Sequence, residues 1–181
     1  VVTQLFLIAM YIMAIVAANV ITAAFAPLIA GPMVIPYGTF LIGVTFILRD
    51  LVQHHFGRMK TYGVIVIALV CSAISSYLLG DTLYIVFASS IAFILSESSD
   101  TEIYSRLSLP MAWRVWWSGL VGGLLDSVVF VVIGLSPLGA GMVPWEAVPM
   151  AILSQILVKT ALQGCGALIV KGFPGMFPEL H

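Results

Sequence analysis

The chain has 181 residues, of which 61% are hydrophobic and only 8% are charged, with seven Lys plus Arg against eight Asp plus Glu. An ordinary soluble domain carries about 25% charged residues, and one soluble core of this size could not hide so much apolar surface. A soluble enzyme is a poor fit, and so is a nucleic-acid-binding domain, because no basic field exists to hold a phosphate backbone. The class that remains is a single integral membrane domain over residues 1–181.

A membrane helix needs about 20 mostly apolar residues. Six segments qualify in chain order: Thr3–Ala24, Ile35–Val52, Tyr62–Leu79, Leu83–Tyr104, Ala112–Gly134 and Ala147–Val170. The first lacks the charged flank and cleavage pattern of a signal peptide and is taken as a span. Pro27, Gly31, Pro32 and Pro36 divide spans one and two, and Gly57 to Lys60 divide spans two and three. Gly80-Asp81 makes a tight turn before span four. Pro110 precedes span five, and Pro137 to Pro144 precede span six. The tail Gly172-Phe173-Pro174-Gly175 is expected to stop the last helix. The apolar runs are continuous, as in Val64–Val70 and Val128–Ile133, whereas barrel strands would alternate in polarity. The expected fold is therefore an all-α, compact bundle of six transmembrane helices.

Charge supplies a direction. Arg49, Arg58 and Lys60 lie around the junction of spans two and three, Arg106 and Arg114 between spans four and five, and Lys171 after span six. The opposite loops carry Asp81 and Glu146 without Lys or Arg. The positive-inside rule then places both termini in the cytoplasm. Trp113, Trp116 and Trp117 suit an aromatic belt at that boundary.

Known catalytic and metal patterns are missing from the sequence. There is no phosphate-binding Gly-rich loop followed by Lys, and Cys71 and Cys165 form no zinc spacing. His54 and His55 are adjacent and so point in different directions on a helix, which favours a solvated interface pair over a metal site. No cofactor is expected.

Ionisable and amide groups inside a membrane bundle are costly and mark a partner or a wet cavity. The candidates for substrate binding or coupling are Asn19, Asp50, Phe93, Glu97, Asp100, Asp126, Gln155 and Lys159. Asp126 falls about 21 Å along span five and Lys159 about 18 Å along span six, at 1.5 Å per residue. Gln155 is one turn from Lys159 on the same face, and Glu97, Asp100 and Tyr104 share a face of span four. Lys159 has two readings, a structural pair with Asp126 or Glu97, or a ligand site with one carboxylate. Arg49 beside Asp50 is open between a gate and an interfacial anchor. Glu102 and Arg106 have the spacing of a solvated helix-end pair. Ala14 with Ala18 and Gly119 with Gly123 make small faces that permit close helix approach, either within the bundle or in a homo-oligomer.

The run Ser96-Glu97-Ser98-Ser99-Asp100, then Trp113-Arg114-Val115-Trp116, then Asp126-Ser127 resembles the queuosine precursor transporter family of vitamin-uptake-like transporters. Leu48-Arg49-Asp50 with Phe56-Gly57, and Gln155 with Lys159, extend the resemblance across nearly the whole chain. Arg49 stands where that family often has Thr. The resemblance implies uptake of 7-cyano-7-deazaguanine or its aminomethyl relative across an inner membrane, by alternating access. It also implies a fold like the membrane substrate-binding component of energy-coupling-factor transporters. An alternative is a binding component for another flat heterocycle that needs a separate ATPase module. An intramembrane enzyme and a purely structural membrane protein are weaker classes. The expected partners are the deazaguanine and the lipid bilayer, with no direct nucleic-acid binding. Glu97 is expected to accept hydrogen bonds from the donor edge of the base.

Overall fold

A computed structural model describes residues 2–30 and 33–172. Gly31, Pro32 and the tail from Phe173 onward lie outside the described residues, so the expected stop after Gly172 falls there. The order is α1 (Val2–Ala24), β1 (Leu28–Ala30), β2 (Met33–Ile35), α2 (Gly38–Phe56), α3 (Arg58–Leu78), α4 (Leu83–Arg106), α5 (Met111–Val129) and α6 (Val148–Gly172). A π-helical segment, Phe130–Leu135, continues α5.

Five of the six helices are long and apolar enough to cross a membrane. The exception is α2, which has 19 residues and carries Arg49, Asp50 and Gln53 on its buried side. It packs against all five other helices. A helix enclosed by protein does not need a lipid-compatible surface, so its polarity is tolerated. The outward faces of the other helices are apolar: Leu5, Phe6, Val66, Ile67, Ile74, Leu83, Phe87, Leu168 and Ile169 are all exposed. Contiguous apolar exposure on this scale fits a hydrocarbon solvent.

The boundaries follow local chemistry. Gly57 alone separates α2 from α3, with φ 75° and its N–H bonded to the Gln53 carbonyl. Only glycine adopts that conformation without steric cost, so α3 begins four residues before the predicted Tyr62. Gly80, at φ 93°, reverses the chain before α4, and the Thr82 hydroxyl caps it by accepting from the Ile85 N–H. The short antiparallel hairpin of β1 and β2 pairs Leu28 with Ile35 and Ile29 with Val34. This hairpin was not expected. In the π segment the Ser136 N–H reaches the Val131 carbonyl at 2.9 Å, a wider turn than an α-helix makes.

Alternation of the helices brings the ends into two groups. Arg58 of α3 meets Glu102 of α4 at 3.0 Å. Val170 of α6 packs with Tyr104, Met111 and Val115, and Leu7 and Ile8 of α1 lie in the same cluster as Phe56 and Tyr62. Arg58, Lys60, Arg106, Arg114 and Lys171 therefore share one end. The hairpin, the Gly80-Asp81 turn and the Pro137–Pro144 connection mark the other.

The small-residue faces are used inside the chain. Ala18 is buried, and Gly38 lies directly against Thr22 and the Ala18 carbonyl. On α5, Gly119 abuts the Gln163 amide, Gly122 faces Asp100, and Gly123 faces Lys159. A methyl at 119 would collide with Gln163, whereas one at Gly63 on α3 would meet nothing within 4 Å. Gly119→Ala is accordingly expected to cost about 1–3 kcal/mol through overpacking. Gly63→Ala should be neutral or stabilising by about 0.5–1 kcal/mol. Thermal unfolding of the two purified variants in detergent checks the contrast; equal midpoints would contradict this packing.

Candidate functional site

Three tiers of polar groups run along the bundle, and α2, α4 and α5 contribute to each because residues three or four apart share a helix face. The first tier lies toward the Gly80-Asp81 end. It is a cavity of about 410 Å³ whose wall includes Asn19, Thr39, Ser89, Phe93, Asp126, Phe130, Gln155 and Lys159. That volume lies in the range of about 300–1,000 Å³ common to small-molecule sites. Lys159 Nζ donates to Asp126 Oδ2 at 2.6 Å, to Ser127 Oγ at 2.9 Å and to Gln155 Oε1 at 3.3 Å. Of the two carboxylates open to Lys159, Asp126 takes it. Asp126 nevertheless keeps 17% of its side chain exposed, so the pair forms part of the cavity wall. Asn19 spends its amide nitrogen on α3, donating to the Ser72 carbonyl at 3.1 Å and to Ser75 Oγ at 2.7 Å.

The second tier is dry. Arg49 is fully buried, and its guanidinium stands among three carboxylates. Nη2 faces Asp50 at 3.1 Å and also pairs with Asp100, while Nε lies 3.2 Å from Glu97. Nη1 donates to Gln53 Oε1 at 2.8 Å and to Thr101 Oγ1 at 3.3 Å. Gln53 then donates to the Thr101 carbonyl at 3.0 Å and to Ser105 Oγ at 2.8 Å. From α6, Gln163 donates to the Val115 carbonyl at 2.6 Å and approaches Asp50 at 3.5 Å. The Tyr11 hydroxyl of α1 neighbours the Glu97 carboxylate without full hydrogen-bond geometry. Three helices other than α2 and α4 thus close around the same charge cluster.

The third tier is a smaller cavity of about 240 Å³ at the basic end, bordered by Gln53, His54, Arg58, Tyr104, Ser105 and Arg114. The Arg114 guanidinium lies 4.0 Å over the Tyr104 ring and donates to the Tyr104 carbonyl at 2.9 Å. At the rim, Glu102 accepts from Tyr62 at 2.8 Å and pairs with Arg58 as well as Arg106. The expected helix-end pair is thus one part of a rim network that joins α3 to α4. Trp113 and Trp117 are half exposed beside it.

The sequence candidates therefore separate into two groups. Asn19, Phe93, Asp126, Gln155 and Lys159 line the first cavity. Asp50, Glu97 and Asp100 lie outside its wall and face Arg49. Glu97 is one turn beyond Phe93 on α4, which carries it past the cavity floor. Arg49, open in the sequence between a gate and an interfacial anchor, is fully buried here, and Tyr11, Gln53 and Gln163 were not among the candidates. Two of these last three had a sequence signal: Gln53 follows Arg49 by one turn, and Gln163 continues the Gln155, Lys159 face at spacing four.

Residues 75–171, more than half of the chain, match the family described as "Putative vitamin uptake transporter". The chain belongs to that family. No curated protein and no solved structure matches it. The transporter is thus a multi-pass membrane protein for a small vitamin-like solute, and it places a solute-sized cavity and a buried ionic layer in series across its bundle. The matched region covers α4, α5 and all but the end of α6, and so includes Glu97, Asp100, Asp126 and Lys159.

Arg49 tests the ionic layer. Removing one partner of a buried charge cluster leaves the others uncompensated and costs about 3–5 kcal/mol. Arg49→Met is expected to lower the unfolding midpoint sharply, and adding Glu97→Gln with Asp100→Asn should recover part of the loss. An Arg49→Met variant as stable as the parent protein would show that the carboxylates do not depend on it.

Proposed function

We propose that this transporter takes up a queuosine precursor, 7-cyano-7-deazaguanine or the 7-aminomethyl relative, by alternating access in an inner membrane. The observation that carries the proposal is the chemistry of the first cavity, taken with the family membership and the resemblance in the sequence. A deazaguanine offers neighbouring ring N–H and exocyclic amine donors, a carbonyl acceptor and a flat apolar face. Asp126 supplies a carboxylate for the donor edge, and Asn19 has its amide nitrogen committed to α3, which leaves its oxygen as an acceptor. Gln155, whose oxygen accepts from Lys159, supplies its amide nitrogen as a donor for the carbonyl. Phe93 and Phe130 offer surfaces for the ring.

Alternating access requires a site reachable from one side while the other is shut. From Ile42 at the cavity to Gln53 at the smaller one is about 16 Å of helix at 1.5 Å per residue. The Arg49 layer occupies that interval. We infer that it is the closed gate on the basic side, that the basic end is cytoplasmic, and that the cavity faces outward.

Equilibrium binding of labelled 7-cyano-7-deazaguanine to the purified protein tests the site. Asp126→Asn should weaken affinity about 10- to 150-fold, the value of a hydrogen bond to a charged group of about 1.5–3 kcal/mol. Glu102→Gln, at the rim network, should leave affinity nearly unchanged. No saturable binding to the parent protein, or equal losses in both variants, would reject this substrate and this site. Exchange of the base by the purified chain in sealed vesicles without ATP would also separate autonomous transport from dependence on an ATPase module.

Orientation has its own test. With Cys71 and Cys165 first replaced by Ser, single cysteines beside Arg58 and Arg106 should be labelled from the cytoplasmic side. A cysteine in the segment 139–144 should be labelled from outside. Reversal of all three would invert the assignment.

A further inference from the structure

We propose that the Arg49, Asp50, Glu97 and Asp100 cluster binds protons and that their movement is coupled to transport. The inference deepens the transport reading above, and its coupling half rests on that reading.

The first argument is charge. One guanidinium stands among three carboxylates, and their side chains are 0 to 1% exposed. With every group ionised, two negative charges would remain in the dry centre of a membrane bundle. Burial of an uncompensated charge costs several kcal/mol even after relaxation. The other elements packed around the cluster do not balance the charge. Tyr11 faces it from α1 and Tyr104 from α4, and both hydroxyls are buried without hydrogen-bond partners. From α3, Tyr62 is engaged with Glu102. From α5, Ser118 faces Asp100, and Asp126 adds a further negative charge near Glu97. Arg114 of α5 acts on Asp50 but is held over the Tyr104 ring. From α6, Lys159 is bound to Asp126, and Gln163 is neutral.

The second argument is open hydrogen-bonding capacity. Asp50 Oδ1, Glu97 Oε2 and Asp100 Oδ2 meet the Arg49 N–H groups at ion-pair distance but without hydrogen-bond geometry, and the buried Asp100 Oδ1 has no hydrogen-bond partner. One guanidinium shared among three carboxylates leaves hydrogen-bonding capacity that a further donor or a bound proton would fill. A proton balances charge without needing space. A metal ion would need the oxygens to converge on one point, and Arg49 already lies between them at ion-pair distance. Among the described residues no group of three His, Cys, Asp or Glu is disposed to hold a metal.

The third argument is position. Glu97 is one turn beyond Phe93 of the larger cavity and within electrostatic reach of Asp126 on its wall. On the far side, Gln53 bonds Arg49 and borders the smaller cavity. Opening the basic side must separate α2 from α4 through the Arg49 pairs. Protonation of Glu97 and Asp100 removes the charges that hold Arg49, so proton occupancy sets how readily that side opens.

The test begins without substrate. The full chain in lipid nanodiscs is examined by infrared spectroscopy for the C=O stretch of protonated carboxyl groups and its shift in D₂O. At neutral pH the parent protein should show this band. Glu97→Gln and Asp100→Asn should each reduce it by roughly half, since like charges sharing one site cannot all ionise. Absence of the band in the parent protein, or a band equal in all three proteins, overturns the proposal and needs no variant to fold better than the parent. In vesicles, an inward proton gradient should drive accumulation of 7-cyano-7-deazaguanine. In Glu97→Gln that accumulation should fall at least tenfold relative to exchange of the base without a gradient. Accumulation that follows sodium and ignores the proton gradient also overturns the coupling. If the parent protein exchanges no base at all, the substrate assignment fails, and the infrared result still decides whether the cluster holds protons.

Discussion

The burial of Arg49 is the constraint around which the rest of the bundle is arranged. A guanidinium in the middle of a membrane protein must find anions and acceptors inside the protein, because lipid supplies none. Its neighbours Asp50, Glu97 and Asp100 and its partners Gln53 and Thr101 come from two helices, and Tyr11, Val115 and Gln163 close the layer from three more. This one group thereby fixes the depth of α2 against α4 and explains why α2 is enclosed by the other five helices. It also explains why α2 does not share their lipid-compatible composition.

Close approach of the backbones makes that layer possible. Gly119, Gly122 and Gly123 flatten one face of α5, so Gln163, Asp100 and Lys159 lie directly against it. A bulkier face would push α4 and α6 outward and admit water to the carboxylates. The same glycine face that could have paired two chains is occupied by this chain's own helices. Small residues and buried charge are two parts of one packing solution: the first brings the helices near, and the second sets their register.

The two ionic sites contrast in solvent access. Lys159 and Asp126 form a balanced pair on the wall of a cavity, with Ser127 and Gln155 as further partners. A ligand reaching that wall can exchange hydrogen bonds with the pair without exposing a bare charge to hydrocarbon. The Arg49 layer is unbalanced and dry, and a ligand cannot reach it without moving a helix. In the proposed reading recognition and gating fall to different residues, even though Asp126 and Glu97 are close enough to influence one another electrostatically.

Much of this architecture was legible in the sequence. Apolar run length set the spans, because hydrocarbon thickness dictates helix length. Glycine and proline placed the turns to within a few residues, and the distribution of Lys and Arg marked one end of the bundle. Lys159, Gln155 and Asp126 stood out because a polar group in an apolar span is costly wherever it points. The match over residues 75–171 agrees with the family resemblance carried by the motifs of spans four to six. Tertiary structure decided the rest. Span two kept its place in the order, but enclosure by its neighbours, not its own apolarity, makes it a bundle helix. The pairing of Lys159 with Asp126, and of Glu97 with Arg49, depends on relative rotation and depth of helices far apart in the chain. Helical periodicity orders residues along one face but carries no information about which face of another helix lies opposite. That is set by the packing of all six helices together, and it is why the sequence showed which groups were expensive while only the fold showed which of them meet.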